Sequence, residues 1–250
     1  PEKFVERLKK WRDDPSSDQE LEKWYNEIYK SPRNEAAKTH PTIFTAAKTK
    51  KEAQEFAKEV LGIDADYSKY HVTVANALNS ELLKAKQTFG DIVELKSVGT
   101  FPPGYPTSWK GAYVPKHKAI WLRNVSRKNS LAKLKQQAEQ QYQIGFWSTP
   151  SELHAIRHEI GHAVEYSFKS SLSEAEFNQR ISQITDLRKK TQREVFKAKA
   201  GIGEYAKYLS KYGFTNTNEF VAESIAEYLD GNPRKTAKTV VNILLGIGGQ

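Results

Sequence analysis

Three absences limit what this chain of 250 residues can be. It has no cysteine, so disulfide bonds and thiolate metal ligands are excluded, and the redox compartment stays undetermined. It has no methionine, so Pro1 is not a translation start, and we expect a fragment, a processed product or a trimmed form of a longer protein. No apolar run approaches the length of about 18 residues typical of a membrane-spanning helix, so no membrane partner is expected.

The charge balance is basic, with 39 Lys and Arg against 30 Asp and Glu and a formal net charge of +9. The cations look dispersed rather than interleaved with stacking aromatic residues. We therefore expect mostly solvated surface, with an acidic substrate or a nucleic acid as the alternative, and nucleic acid is not the expected partner. No secretion signal is visible, and localisation stays undetermined.

One pentapeptide, His158-Glu159-Ile160-Gly161-His162, carries the strongest chemical signal. Residues i and i+4 of an α-helix lie one turn apart on the same face, so both imidazoles can bind one metal ion. Glu159 lies beside the first histidine, where its carboxylate can reach a metal-bound water. This is the pattern of a zinc-dependent peptidase, with two histidine ligands and a glutamate as general base.

The pattern requires a helix, and the sequence predicts one that begins at Pro150 with Thr149 as its N-cap. Gly161 lies inside it and costs about 1 kcal/mol relative to alanine, which predicts the close approach of another element near the metal. His154 lies one turn before His158, but three histidines along a straight helix span about 12 Å and cannot all bind one ion. We expect His154 to be a partly exposed or hydrogen-bonded neighbour.

A third ligand is expected on a later helix, and residues 215–229 have the pattern for it. Asn216 is the predicted N-cap, and Gly231 follows the predicted end. Carboxylates that recur every fourth residue repel one another mildly, and a metal with two histidines nearby would offset that repulsion. The alternative is an acidic, solvated face. The glutamates concerned are Glu219, Glu223 and Glu227.

These two segments resemble the catalytic core of anthrax lethal factor, of the related Pro-Pro endopeptidases and of the lethal-factor-like domains of phage minor head proteins. The resemblance rests on the pentapeptide and on residues 212–223, in which a tyrosine lies seven residues before a glutamate, as in that family. It is strong over residues 150–230, weaker over 46–150 and absent before 46.

The resemblance implies a zincin-like metallopeptidase domain that holds one Zn²⁺ through His158, His162 and Glu219. It implies that Glu159 is the general base and that Tyr212 stabilises the oxyanion of the tetrahedral intermediate. Glu223 would orient a histidine ligand without binding the metal itself.

We therefore predict a zinc-dependent endopeptidase, which hydrolyses a peptide bond of a protein or peptide substrate with a metal-activated water. The alternatives are a structural or assembly protein of a phage particle and a toxin effector domain, each carrying this metal site. An upstream domain of a longer chain is a second candidate partner.

The rest of the sequence predicts an α+β fold, mostly helical with a small mixed sheet. Residues 1–45 are interpreted as an N-terminal helical segment and linker, and residues 46–250 as the metallopeptidase domain. Strands are predicted within 91–98 and 111–125, and helices over 49–61, 69–87, 126–143, 173–200 and 234–245.

A peptidase of this kind needs an exposed strand beside the metal helix, on which the substrate adds as an extra strand. We expect Ala119–Leu122 to be that edge, with Ile120, Trp121 and Leu122 as the residues of the substrate-binding strand. The alternative is an internal strand. Gly145–Trp147 is predicted either to wall the cleft or to belong to the core.

Overall fold

The computed structural model describes four stretches of the chain, residues 44–106, 108–123, 125–198 and 202–247. The N-terminal helical segment predicted for residues 1–45 lies outside these stretches apart from its last two residues. The described residues belong to one compact unit that begins at Phe44. Within them, no helix has both the length and the apolar character needed to cross a membrane.

Helices dominate the described residues, and four short strands lie in the first half. The first helix, α1 (Lys50–Phe56), continues into a π-helical turn (Ala57–Leu61), and α2 (Val72–Phe89) follows. The strands are β1 (Asp64–Ala65), β2 (Ser97–Thr100), β3 (Gly111–Val114) and β4 (Ala119–Leu122), with a 3-10 turn at Pro115–His117. The later helices are α3 (Ser130–Gln143), α4 (His154–Ser171), α5 (Glu174–Lys197), α6 (Ile202–Tyr208), α7 (Thr217–Asp230) and α8 (Lys235–Leu245).

The four strands form one mixed sheet in the order β1-β2-β4-β3. β2 runs parallel to β1 and β4, whereas β3 is antiparallel to β4, with Gly111 opposite Leu122. The predicted α+β class with a small mixed sheet is confirmed.

The predicted substrate edge is wrong, because β4, with Ile120, Trp121 and Leu122, pairs on both sides and is internal. Three of its four residues are buried, whereas β3 has a single buried residue, Tyr113. The more apolar strand occupies the interior position because that position removes more apolar surface from water. The edge of the sheet on this side is therefore β3.

The two helices that carry the pentapeptide and the glutamates cross in close contact. A Cβ added at Gly161 of α4 would lie 2.8 Å from the Cα of Ala222 in α7. This contact confirms the prediction that another element approaches the glycine. Both helices contribute buried apolar side chains to the core: Ile156, Ile160 and Val164 from α4, and Phe220, Val221 and Ile225 from α7.

Both ends of α7 lie where the sequence predicts them, whereas the start of α4 does not. In α7, Asn216 caps the N-terminus by accepting a hydrogen bond from the backbone N–H of Glu219, and Gly231 ends the helix with a left-handed conformation, as predicted. The predicted start of α4 at Pro150 is wrong, because the helix begins at His154. Thr149 is buried and its hydroxyl lies 3.3 Å from Nδ1 of His154, so it serves an interior contact instead of a cap.

Three further differences concern short elements. The strand predicted within 91–98 begins only at Ser97, because a turn between Ile92 and Leu95 precedes it, closed by a backbone hydrogen bond of 2.9 Å. Neither the two-residue strand β1 nor the short helix α6 was predicted. Both depend on contacts with distant parts of the chain, which periodicity cannot register.

Candidate metal centre

α4 brings two histidines of the pentapeptide together on one face. The Nε2 atoms of His158 and His162 lie 3.1 Å apart, and their rings are nearly perpendicular. His158 is buried and His162 is half-buried. This is the geometry expected of residues one turn apart whose rings point at a common centre.

α7 supplies a carboxylate to the same point. Oε2 of Glu219 lies 3.1 Å from Nε2 of His158 and 3.5 Å from Nε2 of His162. The cap by Asn216 fixes the first turn of the helix, which sets the position of Glu219. Oε2 is buried and has no hydrogen-bond partner within the described residues. A buried carboxylate oxygen without a donor is costly, and a cation would satisfy it.

The separations of these three atoms match those of a zinc site. Zinc binds imidazole nitrogen at about 2.0–2.1 Å in a tetrahedral arrangement, which places neighbouring ligand atoms about 3.3 Å apart. The observed separations are 3.1, 3.1 and 3.5 Å. Two imidazoles and one carboxylate are also ligands that zinc favours, and this set leaves a fourth position open.

The charges of the site point the same way. Burial alone would raise the pKa of Glu219, but the close approach of the His158 and His162 rings to its carboxylate lowers it to about 2. Burial alone would lower the pKa of His158, but Glu219 and Glu223 raise it to about 10. Both shifts mean that the site favours a positive charge in contact with its carboxylates.

Glu223 fixes the orientation of His158. Its carboxylate is completely buried, and Oε1 lies 2.9 Å from Nδ1 of His158 and 3.0 Å from Nε2 of His154. Oε2 accepts hydrogen bonds from the backbone N–H of Ser148 at 2.8 Å and from the hydroxyl of Ser210 at 2.7 Å. Because Glu223 contacts Nδ1, the other ring nitrogen of His158 is directed at Glu219.

Two groups of side chains within the described residues could hold a metal ion, and they share His158. The group of His154, His158 and Glu223 is buried, and the two oxygens of Glu223 already have four polar neighbours. The group of His158, His162 and Glu219 opens into a cleft of about 300 Å³. Only the second group gives a substrate access to a metal. The cleft is lined by His162 and Glu219 together with Tyr113, Pro115, Tyr166, Asn216 and Asn218.

His154 lies in the interior behind these ligands. Its ring is buried, stacks on Trp147 at a centroid distance of 4.4 Å and approaches Glu223 at 3.0 Å. Of the two expectations for His154, the partly exposed residue is therefore wrong: the side chain is buried and has polar contacts behind His158.

Glu159 joins the metal helix to the edge strand. Its Oε2 accepts a hydrogen bond of 2.6 Å from the backbone N–H of Tyr113 in β3. A Cβ added at Gly111 would lie 3.2 Å from Cγ of Glu159, so glycine leaves the room that this carboxylate occupies. Tyr113 itself packs on Tyr166 of α4, with ring centroids 5.4 Å apart. β3 therefore lies directly beside the pentapeptide.

Tyr212 lies beside the ring of His158. Its ring is 5.4 Å from that of His158 and stacks on Phe146 at 5.3 Å, and its backbone N–H donates to the carbonyl of Phe146. Burial raises the pKa of Tyr212, and the charges of Glu219 and Glu159 and a hydrogen bond to Glu219 raise it further. The hydroxyl is therefore a neutral donor beside the carboxylate of Glu219. Of the segment Gly145–Trp147, Phe146 stacks on Tyr212 and Trp147 stacks on the buried ring of His154, and neither belongs to the lining of the cleft given above.

Several residues of this site carry no sequence signal. Arg234 binds both carboxylate oxygens of Glu227, at 2.9 and 2.6 Å, and donates to the carbonyl of Ser148 at 2.9 Å. Ser148 in turn holds Glu223. With Glu223 and Glu227 both buried, the alternative of an acidic, solvated face on α7 is excluded. The one sequence feature that pointed to this arrangement was the regular spacing of the glutamates, which places their carboxylates on one face of α7.

Comparisons with known proteins add no relative. No protein-family model matches the chain, and neither the curated proteins nor the solved structures contain a significant match.

Proposed function

We propose that this chain is a zinc-dependent endopeptidase with a zincin-like catalytic domain of the lethal-factor-like kind. The observation that carries the proposal is the convergence of His158, His162 and Glu219, with ligand atoms 3.1–3.5 Å apart, beside Glu159. A bound zinc ion would lower the pKa of a water at the open position and polarise the scissile carbonyl.

The side chains of the site can divide the remaining work. Glu159 accepts the proton of the attacking water and returns it to the leaving amine, a role that its place next to His158 in the chain allows. Tyr212 donates its hydroxyl hydrogen to the oxygen that becomes negative in the transition state. As a neutral donor, it brings no charge of its own that must be desolvated. Glu223 keeps His158 in one tautomer and one orientation.

The edge strand β3 can hold the substrate. In an antiparallel pair, the backbone groups of alternate residues point to the partner strand and those between them point outward. Tyr113 N–H points outward to Glu159, so the backbone groups of Gly111 point the same way. Because the Tyr113 N–H is already bonded to Glu159, a substrate in extended conformation can pair with the N–H and C=O of Gly111 and with the C=O of Tyr113, which aligns its scissile bond with the cleft.

The test is cleavage of a degenerate peptide library by the zinc-loaded protein, read by mass spectrometry. Zinc analysis should give one ion per chain, and hydrolysis should stop when a chelator removes it. Glu159→Gln keeps the volume of the side chain but cannot accept the proton, so it should retain zinc and lose on the order of 10²–10⁴ in turnover. Stoichiometric zinc without cleavage of any peptide, or near-normal turnover by Glu159→Gln, would refute the proposal.

A further inference from the structure

The net charge of this chain lies within one segment. Residues 95–138 contain nine Lys and Arg and no Asp or Glu, which equals the whole excess of +9. The rest of the chain has cations and anions in equal number, 30 of each. The cations are therefore not dispersed, which corrects the expectation from composition. This segment comprises β2, β3, β4 and most of α3.

Four of these cations surround the edge strand. Lys110 immediately precedes β3, Lys116 and Lys118 lie in the turn that follows it, and Arg123 follows β4. The backbone N–H of Arg123 donates to the carbonyl of Lys110, which brings both ends of the hairpin together. Among the described ion pairs, Lys118 is the member of these four that meets a carboxylate, that of Glu94 at 3.0 Å. The guanidinium of Arg123 packs over the ring of Phe101 at 4.6 Å and donates to the carbonyl of Tyr105 at 3.0 Å. Lys110 and Lys116 are the two of the four that meet neither a described carboxylate nor these groups, and their charges can face a ligand.

An aromatic cluster lies between these cations, formed by Phe101, Tyr105, Trp109 and Trp121. Neighbouring ring centroids are 5.0–6.4 Å apart, and Trp109 is 46% exposed. Successive side chains of a strand point to opposite faces of a sheet. Tyr113 faces α4, so its neighbour Ala112, which pairs with Trp121, faces the aromatic cluster.

We infer that the polypeptide bound on β3 is acidic and places a bulky apolar side chain on the aromatic cluster. This inference rests on the proposed function, because it takes β3 as the strand that receives the substrate. A strand added to β3 directs every second side chain to the face of Trp121 and Ala112. Carboxylates on either side of that apolar residue then meet Lys110 at one end of β3 and Lys116 at the other.

A peptide fits this surface better than a nucleic acid does. The outward N–H and C=O groups of an edge strand match the main chain of a peptide, which nucleic acids lack. Charges arranged at both ends of the strand also favour one partner over others and speed its association. A nucleic acid would use the cations and rings without the strand edge, so the two can be separated by experiment.

The test is binding of two labelled peptides, measured by fluorescence anisotropy on the full chain in the Glu159→Gln background. One peptide carries glutamates on both sides of a central phenylalanine, and its twin has glutamine at each of those positions. The acidic peptide should bind about tenfold more tightly. This preference should fall as the ionic strength rises from about 0.05 M to about 0.5 M, because salt shortens the range of charge interactions.

A matched pair of variants locates the effect. Lys110→Gln/Lys116→Gln should remove most of the preference for the acidic peptide. Lys189→Gln/Lys190→Gln, which deletes the same charge from exposed positions of α5, should retain it. Trp109→Ala should weaken the binding of both peptides to a similar degree, because both place the same phenylalanine on the aromatic cluster.

Three outcomes would overturn the inference. The twins could bind equally, the α5 control could lose as much preference as the hairpin variant, or a single-stranded oligonucleotide could displace the acidic peptide more effectively than unlabelled acidic peptide does. Failure of the proposed function gives a different result. An acidic peptide that binds in this way but is never cleaved by the wild type contradicts the peptidase and leaves the acidic surface in place.

Discussion

At the scale of single residues, Tyr212 provides the clearest test of mechanism. Its hydroxyl lies beside Glu219, and its raised pKa keeps it protonated at neutral pH. Tyr212→Phe removes one donor to the developing oxyanion, so kcat should fall by roughly 10²–10³. KM should change little, because the hydrogen bond forms mainly in the transition state. Steady-state kinetics and zinc analysis of the variant check both expectations.

A control separates this effect from loss of packing. Tyr205 packs on Phe214, with ring centroids 5.2 Å apart, and contributes no atom to the metal site. Tyr205→Phe should therefore leave kcat unchanged. If Tyr212→Phe kept full turnover, or lost zinc in proportion to its activity, Tyr212 would not be the oxyanion donor.

Glu165 predicts a pH dependence of stability in the zinc-free protein. It is buried on α4, its Oε2 has no hydrogen-bond partner within the described residues, and burial raises its pKa from 4.5 to about 7. Below pH 4.5 the carboxyl is protonated in both states and costs nothing. Between pH 4.5 and 7 the unfolded chain loses the proton and the folded chain keeps it, so the free energy of unfolding falls as pH rises.

Glu165→Gln should be free of this loss. Relative to the wild type, its free energy of unfolding should increase across that interval, in total by on the order of 3 kcal/mol. Denaturant titrations of both proteins in the presence of a chelator measure the difference. Glu59→Gln, at an exposed position of the π-helical turn, reports the effect of removing a surface carboxylate. A constant difference between Glu165→Gln and wild type over the interval contradicts the prediction.

At the scale of elements, the crossing of α4 and α7 determines the geometry of the candidate metal centre. His158 and His162 come from one helix and Glu219 from the other, and Gly161 lies at their point of closest approach. Gly161→Ala would bring a Cβ within 2.8 Å of the α7 backbone, so the helices must separate. The gain of about 1 kcal/mol in helix propensity is outweighed by overpacking of about 1–3 kcal/mol.

The expected result is a less stable protein with weaker zinc binding, measured by denaturant titration and by competition with a chelator. Gly99→Ala is the matched control, because its added Cβ meets only an ordinary contact of 3.8 Å with Asp66. Gly161→Ala with unchanged zinc affinity would mean that the distance between α4 and α7 does not govern the site.

At the scale of the whole molecule, zinc should stabilise the fold. The proposed zinc site exists only in the folded arrangement of α4 and α7, and a ligand at a thousandfold excess over its Kd stabilises the folded state by about 4 kcal/mol. Removal of zinc with a chelator should therefore lower Tm, as measured by differential scanning calorimetry. Glu219→Gln should respond much less to the chelator. If the chelator left the Tm of the wild type unchanged, the idea that a bound zinc ion connects α4 and α7 would be contradicted.

The distribution of charge is a second property of the whole molecule. The cations of residues 95–138 look unremarkable along the sequence because they are spaced between apolar and polar residues. Folding brings those of the hairpin next to four aromatic rings, three from the segment between β2 and β3 and one, Trp121, from β4. Clustering of charge with aromatic side chains therefore depended on the pairing of β3 with β4.

The sequence by itself determined what lies within one helix. His158 and His162 lie on one face because an α-helix has 3.6 residues per turn. Asn216 begins α7 and Gly231 ends it through hydrogen bonds with residues close in the chain. Gly161 predicted a close contact with another element, because glycine inside a helix lowers its stability and is expected only where a side chain would not fit.

Tertiary structure decided what depends on distant partners. Ser148 and Glu223 are 75 residues apart, and their contact explains why the segment before α4 does not form the predicted helical turn. The choice of β3 over β4 as the edge depended on how much apolar surface each strand buries in competition with the other. Periodicity records the faces of one element, but burial and hydrogen-bond satisfaction are settled only when all elements pack together.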